Sequence, residues 1–81
     1  MNSLDLRGKV VLITGGARGI GFETARLVRE RGGSVVLIDL DREIVEESAE
    51  ALAGDTLGIQ ADVTDLGGMQ DAVARTIERL G

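Results

Sequence analysis

The chain contains no cysteine, histidine, proline, tyrosine or tryptophan, and one phenylalanine is its only aromatic residue. Without cysteine it has no disulfide framework and no thiolate metal site, and the lack of histidine also argues against zinc. We therefore expect no bound metal. The net charge is −5 at neutral pH. This acidic balance argues against nucleic acids and anionic membranes as partners.

Long apolar runs are also absent, so no segment is expected to span a bilayer. The first five residues, Met1 to Asp5, show neither the basic region nor the apolar core of a signal peptide. These features favour a cytoplasmic protein. A length of 81 residues with 43% apolar residues is typical of at most one globular domain.

Short apolar runs alternate with helical patterns along the chain. Strands are predicted at residues 9–14, 35–40 and 57–61, and a helix is predicted to follow each of them, the first over residues 19–31. This β-α-β-α-β-α order predicts a Rossmann-like, three-layer α/β fold with a parallel sheet in the order 3-2-1. The first two helices should share one face of the sheet. Such a unit is the N-terminal half of a doubly wound domain.

Capping residues support the predicted helix ends. Gly32 and Gly33 are expected to end the first helix, and Asp41 and Asp65 are expected to cap the second and third helices. The apolar faces predicted from helical spacing are Ile20, Thr24, Leu27 and Val28 in the first helix, Ile44, Val45, Ser48 and Leu52 in the second, and Met69, Ala72, Val73, Ile77 and Leu80 in the third.

A glycine-rich turn follows the first predicted strand directly, with Thr14, Gly15, Gly19 and Gly21 spelling Thr-Gly-x3-Gly-x-Gly. Glycines let the chain turn sharply and bring its backbone close to a phosphate, and the unpaired N–H groups of the next helix favour a pyrophosphate. A P-loop is excluded because Phe22, not lysine, follows Gly21. The turn therefore indicates dinucleotide binding, with an ordinary strand–helix turn as the alternative.

Three landmarks resemble the short-chain dehydrogenase/reductase family. The glycine turn is similar to the cofactor loop of that family, Asp39 to the acid that ends its second strand, and Asp62-Val63 to the acid and apolar residue that close its third. The resemblance implies a Rossmann domain that binds NAD(P). The cofactor-binding residues that it implies are Gly15, Arg18, Gly19, Ile20, Gly21, Asp39, Leu40, Asp62 and Val63.

The choice between NAD and NADP depends on two residues of opposite charge. Asp39 follows Gly21 by 18 residues, close to the spacing of an acid that binds the adenosine ribose and repels a 2′-phosphate. Alternatively, it is a capping or solvated acid at a strand end. Arg18 could reach a 2′-phosphate or remain a solvated loop cation. Because Leu40 and Asp41 follow Asp39 and neither is basic, NAD is the predicted cofactor.

Asp62 and Val63 match the pair that holds the adenine edge in this family. The carboxylate would accept a hydrogen bond from the exocyclic amine, and the valine would pack against the ring. The alternative is that Asp62 only begins an Asx turn toward Thr64 and Asp65.

No catalytic residue of the family can be placed on this chain. The family uses a tyrosine, a lysine three residues later and a serine, whereas this chain has no tyrosine and its single lysine, Lys9, precedes the first strand. Ser3, Ser34 and Ser48 match no catalytic position. We therefore expect the chain to be inactive alone, as a portion truncated before the catalytic half.

Three functions remain open. The chain is the NAD(P)-binding part of a dehydrogenase that transfers hydride between a nicotinamide cofactor and an alcohol or carbonyl substrate, a stand-alone non-catalytic dinucleotide-binding module, or a structural fragment with no ligand. The first strand would have one unpaired edge. We therefore expect self-association, or docking with a C-terminal half, along that strand.

Overall fold

The computed structural model describes residues 5–81, so the expectation about a signal peptide and the serine at position 3 lie outside it. The predicted order of elements is confirmed. The predicted bounds of the three strands and of the first helix each lie within one residue of the observed bounds. The elements are β1 (Val10–Thr14), α1 (Gly19–Glu30), β2 (Ser34–Asp39), α2 (Arg42–Leu52), β3 (Thr56–Gln60) and α3 (Leu66–Leu80).

The three strands form one parallel sheet with β2 between β1 and β3, as predicted. Residues 35–38 of β2 are fully buried because helices cover both faces of this central strand. Val35 and Leu37 pack with α1 and α2 on one face, while Val36 and Ile38 pack with α3 on the other. The parallel arrangement brings the carboxyl ends of all three strands to the same edge of the sheet.

Helix capping follows the sequence predictions. Gly32 has a φ of 87° and donates its N–H to the Arg29 carbonyl at 3.0 Å, and Gly33 donates to the Val28 carbonyl at 3.0 Å. This pair of bonds is a Schellman motif that ends α1. Asp41 caps α2 and Asp65 caps α3 through their side-chain oxygens, at 3.1 and 3.2 Å from the backbone nitrogens that they cap.

The predicted packing face of α1 is wrong except for Val28. The face that meets the sheet contains the small residues Gly21 and Ala25, followed by Val28, whereas Ile20 is 86% exposed and Leu27 is 45% exposed. Thr24 is exposed as well. Because these side chains are small, the helix axis lies close to the strands. The larger residues lie on the side of the helix that faces away from the sheet.

A similar rotation corrects the prediction for α3. Ala72 and Thr76 are buried and Met69 and Leu80 are partly buried, but Val73 and Ile77 remain exposed. Thr76 is accepted in this apolar face because its hydroxyl donates to the Ala72 carbonyl at 2.8 Å. No helix within residues 5–81 is long and apolar enough to cross a membrane.

The outer edge of β1 supports a prediction about assembly. Within the described residues β1 pairs only with β2, and Leu12 of this edge strand is 38% exposed. Free backbone groups beside apolar surface favour pairing with another chain. We expect the chain to self-associate through this edge. Leu12→Lys should weaken the association, whereas the control variant Leu40→Lys, which makes the same change away from this edge, should not. Sedimentation velocity tests this; a stable monomer of the unmodified chain at high micromolar concentration would contradict it.

Candidate functional site

The glycine turn packs so closely on the start of α1 that side chains are excluded. A Cβ at Gly21 would collide with the carbonyl oxygen of Gly15 and lie 3.0 Å from the Cα of Gly16. On the opposite side the turn is open, because a Cβ at Gly15 or Gly19 would meet nothing within 4 Å. Both residues have φ values in the left-handed region, at 65° and 62°. The turn thus presents bare backbone to open space.

The turn is fixed to the end of β2 by backbone hydrogen bonds. The N–H groups of Gly15 and Gly16 both donate to the carbonyl of Ile38, at 2.7 and 3.3 Å. The N–H of Ala17 donates to the Asp39 carboxylate at 3.3 Å. These contacts place the turn beside the residue for which a ribose-binding role is predicted.

The N-terminus of α1 differs from those of α2 and α3. Its N-cap residue, Arg18, makes no side-chain capping bond, whereas Asp41 and Asp65 cap the other two helices. Within the described residues, no partner accepts the N–H groups of Gly19, Ile20 and Gly21. These unpaired donors and the helix dipole favour an anion. This end of α1, behind the open glycine turn, fits a pyrophosphate.

A groove crosses the carboxyl ends of the strands and gathers most of the predicted site residues. This strand-end groove has a volume of about 290 Å³. Two of its walls are apolar, since Leu40 and Val63 are 64% and 58% exposed beside it. The residues that line it are Thr14, Gly15, Ile38, Asp39, Leu40, Ala61, Asp62 and Val63.

Asp39 is held in a defined orientation within this groove. One carboxylate oxygen, Oδ1, accepts from the N–H of Leu40 at 2.8 Å, and the other, Oδ2, accepts from Ala17. Each carboxylate oxygen has a second lone pair available. The side chain can therefore still accept hydrogen bonds from a diol such as the ribose hydroxyls.

Asp62 makes the Asx turn that was the alternative interpretation of this residue. Its Oδ1 accepts from the Thr64 hydroxyl at 2.7 Å and from the Thr64 N–H at 2.9 Å. Both bonds, the hydroxyl first, hold the pKa of Asp62 below its usual value. No donor within the described residues bonds to Oδ2, so the turn and an adenine contact are compatible.

Arg18 and Gly19 line a second groove, on the other side of the glycine turn. This loop–helix groove, of about 330 Å³, lies between the turn and α2. Arg18, for which contact with a 2′-phosphate or a solvated loop position was predicted, therefore lines a different groove from Asp39. The residues that line the groove are Ala17, Arg18, Gly19, Phe22, Glu47, Ser48 and Ala51.

Ser48 is the site residue whose role the sequence interpretation missed. It was assigned only to the apolar face of α2, but its hydroxyl donates to the Ala17 carbonyl at 2.5 Å. Both backbone groups of Ala17 are thus bonded to side chains, those of Ser48 and Asp39. A polar residue on a packed helix face needs a hydrogen-bond partner. The presence of a serine among the apolar residues of the predicted face was therefore the sequence signal for such a bond.

The whole arrangement has counterparts among known proteins. A sequence profile described as short chain dehydrogenase matches residues 9–81. The chain belongs to the short-chain dehydrogenase family. Members of this family bind a nicotinamide cofactor, either NAD or NADP.

Curated relatives from plants and bacteria are similar over nearly the whole chain. Short-chain dehydrogenase reductase 3c of Arabidopsis thaliana is 40% identical over 82 residues, which cover 100% of this chain and 32% of that protein. Cyclohexanol dehydrogenase of Rhodococcus sp. is 37% identical over 95 residues, covering 99% of this chain and 35% of the relative. The chain therefore spans about a third of the length of these relatives.

A solved structure confirms the fold assignment. The crystal structure of a short-chain dehydrogenase/reductase from Brucella melitensis superposes with a TM-score of 0.88 at 32% sequence identity. The match covers 95% of this chain and 34% of the other. The βαβαβα unit is thus an arrangement found in this family.

Proposed function

We propose that this chain binds the adenosine and pyrophosphate half of NAD within a short-chain dehydrogenase. The observation that carries the proposal is the strand-end groove, which gathers Gly15, Asp39, Leu40, Asp62 and Val63 at one edge of the sheet. Apart from Gly15, these residues come from the ends of β2 and β3, so one ligand lying across both strand ends would contact all of them.

The start of α1 and the strand-end groove each suit one part of the nucleotide. The unpaired N–H groups at the start of α1 would bind the pyrophosphate, and the Asp39 carboxylate would accept from the adenosine ribose. Leu40 and Val63 would pack against adenine, with Asp62 accepting from its exocyclic amine. Because Asp39 and Asp62 are both acidic, a 2′-phosphate beside them would be repelled, which supports NAD over NADP.

The bound nicotinamide would supply hydride transfer to or from an alcohol or carbonyl carbon. In this proposal the described residues position the other end of the cofactor, and their contribution is orientation. The backbone of residues 15–21 fixes the pyrophosphate, and Asp39 fixes the ribose relative to the sheet. No residue in this groove is assigned a role in proton transfer.

Calorimetric titration with cofactor halves tests the proposal. We expect ADP-ribose to bind about as tightly as NAD, because the groove residues face only the adenosine half, and nicotinamide mononucleotide to give no measurable heat. Equal affinity for both halves would contradict the assignment. Absence of binding by both NAD and ADP-ribose at millimolar concentration would favour a structural fragment without a ligand.

A further inference from the structure

Two side chains hold the Ala17 peptide from opposite sides. The Ser48 hydroxyl donates to its carbonyl at 2.5 Å, and its N–H donates to Oδ2 of Asp39 at 3.3 Å. Ala17 itself is only 4% exposed, and both hydrogen bonds are partly buried. It joins α2, the glycine turn and the end of β2, which are distant in sequence.

We propose that Ser48 is a positioning residue that sets the discrimination between NAD and NADP by fixing the orientation of Asp39 through Ala17. This inference rests on the proposed function. Ser48 lines the loop–helix groove and not the strand-end groove, so its hydroxyl acts on Asp39 only through the Ala17 peptide.

The physical reason is the geometry of one peptide group. The Ser48 hydroxyl donates to the Ala17 carbonyl, and the Ala17 N–H points toward Oδ2 of Asp39. The other oxygen of that carboxylate, Oδ1, accepts from the Leu40 N–H. Without the Ser48 hydroxyl, the Ala17 carbonyl loses that donor and the turn gains freedom to shift. Asp39 would then keep one fixed hydrogen bond instead of two. A less restrained carboxylate orients the ribose hydroxyls less well and moves away from a 2′-phosphate more easily.

The connection also involves the cation of the turn. Arg18 follows Ala17 directly and lines the same groove as Ser48. A shift of the Ala17 peptide therefore moves both Arg18, which could attract a 2′-phosphate, and Asp39, which repels it. The ratio of NAD to NADP affinity is therefore sensitive to the position of this peptide.

Three variants separate positioning from simple loss of stability. Ser48→Ala removes the hydroxyl, and Ser48→Thr keeps it. Thr56→Val is the matched control, because the Thr56 hydroxyl donates to the Ala53 carbonyl at 2.6 Å at the other end of the sheet. Affinities for NAD and NADP are measured by calorimetry, and the Ala17 amide signal is followed by NMR in the free chain.

We expect Ser48→Ala to lower the ratio of NAD to NADP affinity roughly three- to tenfold, the range that loss of one hydrogen bond permits. Its Ala17 amide proton should shift and exchange faster with solvent. Ser48→Thr should keep the affinity ratio of the unmodified chain. Thr56→Val should leave both this ratio and the Ala17 amide signal unchanged.

An unchanged ratio and an unchanged Ala17 amide in Ser48→Ala would overturn the inference while leaving the proposed function intact, provided that the unmodified chain binds NAD. A shifted amide with an unchanged ratio would also overturn it, since the connection would then be structural only. If the unmodified chain binds neither NAD nor NADP, both the proposed function and this inference are overturned.

Discussion

Gly21→Ala is expected to abolish measurable NAD binding at concentrations that saturate the unmodified chain. The added Cβ would collide with the Gly15 carbonyl oxygen, which is backbone and cannot rotate away. Either α1 or the turn must move, which separates the unpaired helix donors from the bare backbone at Gly15. Overpacking of this kind typically destabilises a protein by about 1–3 kcal/mol. Calorimetry and urea unfolding measure the two effects.

Two further variants identify the cause of the loss. Gly67→Ala is the matched control within α3, since its Cβ would meet only an Asp65 oxygen at 3.6 Å; it should retain binding and stability. Gly19→Ala places a Cβ in open space at the start of α1, with a φ of 62° that alanine rarely adopts. It should remain folded but bind NAD at least tenfold more weakly. Full NAD affinity in folded Gly21→Ala would contradict the assigned pyrophosphate site.

Asp39→Ala is expected to weaken NAD binding and to relax discrimination against NADP by a factor of ten or more. A charge-assisted hydrogen bond is worth roughly 1.5–3 kcal/mol, and the ribose would lose at least one. Loss of the charge also removes repulsion of a 2′-phosphate, so NADP affinity should fall less than NAD affinity or rise. Calorimetric titration of both dinucleotides gives the ratio directly.

The control for the change of charge is Asp55→Ala. Asp55 precedes β3 at the opposite end of the sheet and is exposed, so its removal alters the net charge equally without touching the strand-end groove. We expect it to leave the ratio of affinities unchanged. If Asp39→Ala kept the ratio of the unmodified chain, Asp39 would not be the residue that contacts the ribose.

Local patterns explain why the order of elements was predictable. Continuous apolar runs mark strands buried on both faces, as residues 35–38 of β2 are, and capping residues such as Asp41 and Gly32 act within one turn of the helix end. The glycine spacing also predicted the open turn at Gly15 and Gly19. These features depend on a few adjacent residues, so a single sequence contains them.

Features that depend on distant residues were not predictable in the same way. Periodicity identifies a helix, but the depth of contact with the sheet decides which of its residues are buried. Ala25 and Ala72 face the sheet, while Leu27 and Ile77 do not. The bond from Ser48 to Ala17 spans 31 residues and requires the packing of α2 against the turn. The role of Asp62 could not be assigned from sequence, because an aspartate directly after a strand is expected both for an Asx turn and for an adenine contact.

Mapping ADP-ribose onto the backbone amides by NMR is the most direct test of the central claim, that the carboxyl ends of the strands bind the adenosine half of the cofactor. We expect the largest shift changes at Gly15, Gly19, Gly21, Asp39 and Val63. Amides at the opposite end of the sheet, such as Gly33 and Asp55, should not move. Shift changes confined to that opposite end, or none at saturating ADP-ribose, would contradict binding at the carboxyl ends of the strands.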